Sequence, residues 1–194
     1  MKRLWFTMLF IMFVCGTTLA QQRAFGLRVG DPLGVTFKQY TRTHKAIEYI
    51  VGTAARNWHH NYYENSFYKY DKYDDFTYRS HKVENSIYLQ ARYLLHYDIQ
   101  VENMEGRLQW YWGLGGVLKF SRIEYRYVET PPQSTPRSDR RNNIDLGPDV
   151  IGGVEYTFED IPLNVFGELS LMIELADRPF AAQLYGGVGA RFIF

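Results

Sequence analysis

The sequence predicts an all-β chain folded as an eight-stranded antiparallel up-and-down transmembrane β-barrel, and three observations carry that prediction. Apolar residues alternate with polar or small ones along eight separate stretches, which is the period of a strand with two unlike faces. The charges within those stretches gather on the face opposite the apolar one. Short and long connections alternate down the chain, as the two ends of a membrane barrel require. No helix-period stretch of convincing length and no solenoid or propeller repeat competes with this reading. The mean hydropathy of −0.33 is compatible with it, because barrel strands give half their residues to a polar interior.

The chain opens on Lys2 and Arg3, an apolar run from Leu4 to Cys15, and Gly16-Thr17-Thr18-Leu19-Ala20. A charged start, an apolar middle and small residues at the end predict a signal peptide over 1–20, cut after Ala20. The run is too short for a spanning helix of about 20 residues. Met12, Phe13 and Val14 before Cys15 lack the small residue that lipid attachment needs. Residues 21–194 are then one domain without cysteine, since Cys15 is the only one, so disulfides play no part. Losing Lys2 and Arg3 turns the formal charge of +1 into −1, which gives no basis for bulk attraction to nucleic acid.

The strands follow in order. Phe25, Leu27 and Val29 alternate with Gly26, Arg28 and Gly30, and Asp31-Pro32-Leu33-Gly34 reads as a turn. Val35 and Phe37 alternate with Thr36 and Lys38. Ile47, Tyr49, Val51 and Thr53 alternate with Glu48, Ile50, Gly52, Ala54 and Arg56. A long loop is expected from about 57 to 85. A fourth strand carries Ile87 to Tyr97 against Tyr88, Gln90, Arg92, Leu94 and His96, and a fifth carries Leu108, Trp110, Trp112, Leu114, Leu118 and Phe120. A second long loop is expected from about 123 to 143, with Pro131, Pro132 and Pro136 in it. Ile144 to Phe158, Leu163 to Leu175 and Ala182 to Phe194 complete the eight. With the start of the chain in the periplasm, the turns after strands two, four and six are short. Both long loops then fall on the cell exterior.

On the inward face the alternation places six bases, Arg28, Lys38, Arg56, Arg92, Lys119 and Arg191, and six acids, Glu48, Asp145, Asp149, Glu155, Glu168 and Glu174. A soluble barrel would reverse this polarity. Eight strands enclose only enough room for side chains, so an interior plugged by paired charges is expected rather than an open pore. Inward glycines such as Gly113, Gly153 and Gly187 make room for the longer side chains.

The first long loop is rich in aromatics, with Trp58, Tyr62, Tyr63, Phe67, Tyr68 and Tyr70 as candidate surface-binding residues and Tyr73, Phe76 and Tyr78 beside them. Such rings could stack on sugars or meet a protein partner. The plainer reading is strands continuing past the membrane with an aromatic girdle at the interface, and we favour it. Arg137, Arg140 and Arg141 in the second loop are candidates for lipopolysaccharide phosphates through charge-assisted hydrogen bonds. His59, His60 and His81 lack compact metal-ligand spacing, and the glycine runs near 113 and 186 lack the helix and Lys-Ser/Thr of a phosphate cradle. No cofactor or metal is expected.

The closing strand resembles the C-terminal signal of bacterial outer-membrane β-barrels, which ends in Phe and is read by the barrel-insertion machinery. The residues carrying it here are Tyr185, Gly187, Val188, Ala190, Phe192 and the final Phe194. The whole mature chain is similar to the small eight-stranded outer-membrane barrels of Gram-negative bacteria. Gly26 to Gly34 and Gly153 to Pro162 resemble a poorly characterised group among them. The resemblance implies the fold and the outer membrane as location, and transfers no catalytic residue; a monomer in contact with lipid and lipopolysaccharide is expected. The expected role is structural, adhesive or surface-binding through the two loops. The alternatives are a lipid A-modifying enzyme using His59 or His60 with Ser66, Ser80 or Ser86, and a narrow ion channel.

Overall fold

The computed structural model describes residues 22–42, 44–54, 60–68, 71–73, 75–129, 136–176 and 179–194. Eight strands run in chain order: β1 Arg23–Asp31, β2 Leu33–Arg42, β3 Lys45–Thr53, β4 Phe76–Asp98, β5 Arg107–Glu129, β6 Pro136–Thr157, β7 Leu163–Ile173 and β8 Ala182–Ile193. One helix, α1 (His60–Phe67), and a 3-10 turn, Asp71–Tyr73, lie between β3 and β4. The sheet is a closed antiparallel barrel in which each strand pairs with its neighbours in sequence. β1 pairs with β8 from Ala24↔Ile193 to Asp31↔Gly186. Closure removes the sheet edge, so these backbone groups are satisfied within the wall.

The outside of the barrel is apolar and the inside is charged. Leu27, Val29, Leu114, Val150, Leu169 and Val188 are each more than half exposed. Arg28, Lys38, Glu48, Lys119, Asp145 and Arg191 are at most 1% exposed. The apolar belt on β5 runs from Leu108 to Phe120. Those twelve or so steps of about 3.4 Å, tilted by about 40–45°, rise about 30 Å, close to the hydrocarbon thickness of a bilayer.

β4, β5 and β6 are twice as long as the others, at 23, 23 and 22 residues, and this corrects the two expected loops. Much of the stretch expected as a loop over 57–85 is strand from Phe76 onward. The loop expected over 123–143 is β5 up to Glu129 and β6 from Pro136. The alternation was hidden because its polarity reverses. Ile87, Phe120 and Ile144 form the last apolar row on the outside. Beyond them Arg122, Glu124 and Arg126 turn outward or partly so, while Ile123, Tyr125 and Tyr127 become the buried face. Bulges at Tyr78/Ser80 and Val83/Asn85 shift the period further on β4.

Candidate functional site

Two groupings stand out: the interior of the barrel, and the cap formed where β4 to β6 continue past the apolar belt.

Inside, side chains at successive inward positions form a column of hydrogen-bonded and ion-paired groups at three levels. Toward the end that holds Arg23 and Phe194, Lys38 donates to Glu155 at 2.5 Å and the Tyr40 hydroxyl donates to the same carboxylate at 3.0 Å. Arg191 donates to Glu48, to Asn164 at 3.2 Å and to Thr36 at 3.3 Å, and its guanidinium sits 3.5 Å from the Phe166 ring centre. At mid-height Glu168 accepts from Arg28 at 2.9 Å, from Arg92 at 2.8 Å and from the Tyr111 hydroxyl at 2.8 Å. Arg92 also donates to Asp149 at 3.3 Å, and Gln90 donates to Asp149 at 2.7 Å. Glu48 links the two levels, 3.8 Å from Arg92. Nearer the cap, Lys119 pairs with Asp145 at 2.5 Å and donates to Gln183 at 3.2 Å, while Gln183 donates to Glu174 at 2.8 Å.

The structure thus brings together eleven of the inward charges proposed from sequence, and Arg56 lies outside the described residues. Burying so many ions is tolerable only because each side chain meets an opposite charge or a hydrogen-bonding partner; removing one partner strands the other at a cost of about 3–5 kcal/mol. Collecting charges alone missed the neutral members Thr36, Tyr111, Asn164, Gln183 and Ser170, which accepts from Arg92 at 3.2 Å. Their signal was present, since all are polar residues at inward positions. Backbone is cleared where bulk demands it. A Cβ on Gly187 would lie 2.6 Å from Cζ of Arg28, and one on Gly153 would lie 2.6 Å from Cζ of Tyr111.

The C-terminal residues split between the two faces. Tyr185 is fully buried inside, donating to Gln183 at 2.6 Å with its ring edge-on to Tyr88. Val188, Phe192 and Phe194 are exposed on the outer wall.

The cap has a small core of its own. Phe67 is fully buried and stacks on Tyr73 at 4.3 Å, with Tyr78, Tyr125 and Tyr127 each 5.6 Å away, and Val83 and Ile123 complete the cluster. This corrects the reading of Phe67 as a surface-binding residue: α1 uses it to dock on the sheet. Tyr68 is exposed, and its hydroxyl accepts from the Tyr78 amide at 3.3 Å. Trp58 and Tyr70 lie outside the described residues, as do the side chains of Tyr62 and Tyr63. Asp139 fastens the 3-10 turn to β6, accepting from Lys72 at 2.5 Å and from the Tyr73 hydroxyl at 2.9 Å. The Lys72 hydrogen bond holds the Asp139 carboxyl below the usual range. Burial, then the bond to Asp139, pushes the Tyr73 hydroxyl up. Desolvation pushes Tyr78 up to about 12.

Arg137, Arg140 and Arg141 do not form one cluster, because all three lie on β6. Arg137 and Arg141 turn toward the aromatic core, 5.6 Å from the Phe76 ring and 5.8 Å from the Tyr73 ring. Arg140, between them in parity, is exposed on the other face. The serines weighed for catalysis are also scattered. Ser66 is buried, and the Ser86 hydroxyl bonds Ala54 and Thr53 where β3 leaves β4. His59 and the His60 side chain lie outside the described residues. No trio of His, Cys, Asp or Glu among the described residues is arranged to hold a metal.

No family model and no curated protein matches the sequence. Among solved structures, the N-terminal β-barrel domain of Pseudomonas aeruginosa OprF is similar at a TM-score of 0.46 and 11% identity, over 90% of this chain and 96% of that one. The attachment invasion locus protein Ail of Yersinia pestis gives 0.45 and 10%, over 90% and 97%. A major outer membrane protein of Thermus thermophilus gives 0.43 and 8%, over 91% and 100%. At these values the fold stands on its own closed ladder of strand pairs.

Proposed function

We propose that this chain is a closed barrel of the bacterial outer membrane with a structural, adhesive or surface-binding role, and that the cap on β4 to β6 is its working surface. The observation that supports it is the inverted polarity, with an apolar wall about one bilayer tall around a core of paired ions. Such a wall is stable only in lipid. The paired interior supports a plugged barrel rather than a conducting one, and no catalytic role is part of the proposal. Export by a signal peptide cut after Ala20, delivery to the barrel-insertion machinery on the β8 pattern, a monomeric state and an exterior cap belong to the same proposal.

Gel mobility of the outer-membrane fraction in SDS, with and without boiling, tests it. A folded barrel resists SDS and shifts on heating, and N-terminal sequencing of the same band should begin at Gln21. A protein that is soluble and shows no shift overturns the proposal. For the enzyme alternative, an unchanged lipid A mass spectrum on deleting the gene is the expected result.

A further inference from the structure

We infer that the outward face of the cap sheet, along Lys82, Arg122, Arg126 and Arg140, binds the phosphorylated headgroups of the outer-leaflet glycolipid. The inference rests on the outer-membrane reading above and names the ligand of one face of the proposed working surface.

Position is the first argument. Arg122 pairs with Asn142 one row beyond the last apolar row, Ile87–Phe120–Ile144, and the next row is Lys82–Glu124–Arg140, with Arg126 beyond it. All four cations are exposed. They begin where the hydrocarbon contact ends, which is the depth of a headgroup layer. Long aliphatic stems let such side chains lie along the apolar wall and place the charge at that depth.

Charge is the second argument. The four cations share these rows with two acids, Glu124, which is 3.6 Å from Arg126, and Glu84 at the β4 bulge, so the face keeps a positive excess. The opposite rim of the barrel is different. The acids Asp98, Glu102, Glu105, Glu159 and Asp160 are exposed there beside the bases Arg23, Arg42, Lys45 and Arg107, and Arg107 is held by Asp98 at 2.6 Å. The molecule thus carries a positive excess at one edge of its belt and none at the other, matching a membrane whose outer leaflet bears the phosphates. Three of the four cations are arginines, whose planar fork matches phosphate oxygens two at a time. Rows about 7 Å apart along a strand and strands about 5 Å apart let one doubly phosphorylated headgroup touch several of them.

The sorting differs from the sequence reading of Arg137, Arg140 and Arg141. Two of those three face the aromatic core, and the cations replacing them come from β4 and β5. Parity along the strand, not nearness in sequence, selects the set.

The test uses the full mature barrel in detergent, read by the temperature at which its SDS-resistant band is lost. Bisphosphorylated lipid A should raise that temperature, while lipid A stripped of both phosphates and inorganic phosphate alone should leave it unmoved. Replacing all four residues (K82Q, R122Q, R126Q, R140Q) should weaken the apparent affinity for bisphosphorylated lipid A by more than about tenfold, since each cation near an anionic surface is worth on the order of fivefold. K45Q at the opposite rim should leave it unchanged. An equal response from the quadruple variant, or an equal response to the stripped lipid, overturns the inference. A response to inorganic phosphate alone also overturns it by showing a simple anion site. Loss of the heat-shifted band in the wild type would instead defeat the outer-membrane reading.

Discussion

Glu168 shows how a single residue holds the interior. Its carboxylate takes hydrogen bonds from Arg28, Arg92 and Tyr111, so Glu168→Gln leaves two buried guanidiniums short of their counter-charge. The expected loss is about 3–5 kcal/mol, measured by urea unfolding of the refolded barrel. By contrast, Asp98→Asn at the exposed rim, where Arg107 is the partner, should change stability by about 1 kcal/mol or less. Glu168 and its two arginines were legible in the sequence, because period-2 parity assigns each to the inside without knowledge of any neighbour. Which arginine meets which acid was not legible. Arg28 and Glu168 are 140 residues apart, and the closure of β1 onto β8, which pairs in turn with β7, brings them together.

At the scale of elements, the cap separates from the barrel in composition and in its expected behaviour. Phe67→Ala removes the side chain at the centre of the cap core, a change that typically costs about 3–5 kcal/mol. The effect should be local, with faster proteolysis within 55–75 and an unaltered heat shift of the barrel. The cap should also respond to acid through Asp139. Its folded pKa lies below the unfolded value, so its contribution is complete above about pH 4 and is lost as pH falls through the folded value. The protection of the Tyr125 and Tyr127 amides, taken relative to the intrinsic exchange rate at each pH, should therefore fall from pH 6 to pH 3 more in the wild type than in Asp139→Asn. The eight strands were readable because each carries an apolar outward face. The far halves of β4 to β6 were not, because a search for that face stops where it reverses, and two bulges on β4 shift the count besides.

The molecule as a whole is a wall of lipid-soluble side chains around a salt-bridged column. The plugged interior that we propose predicts a silent planar bilayer at steady voltage, and stable unitary conductance from the wild-type protein would contradict it. The reversal of polarity past Phe120 has one more consequence, for assembly. Plain alternation looks the same after a slip of two residues, so a strand with a uniform pattern has several pairings that all keep apolar groups in lipid. β5 has no such freedom. Slipping it two residues one way draws Arg122 into the hydrocarbon edge. Slipping it the other way lifts Lys119 from Asp145 toward the rings around Phe67, stranding an ion among aromatics. The two opposed patterns on one strand act as a vernier that admits a single alignment, so the cap also fixes how the wall beneath it closes.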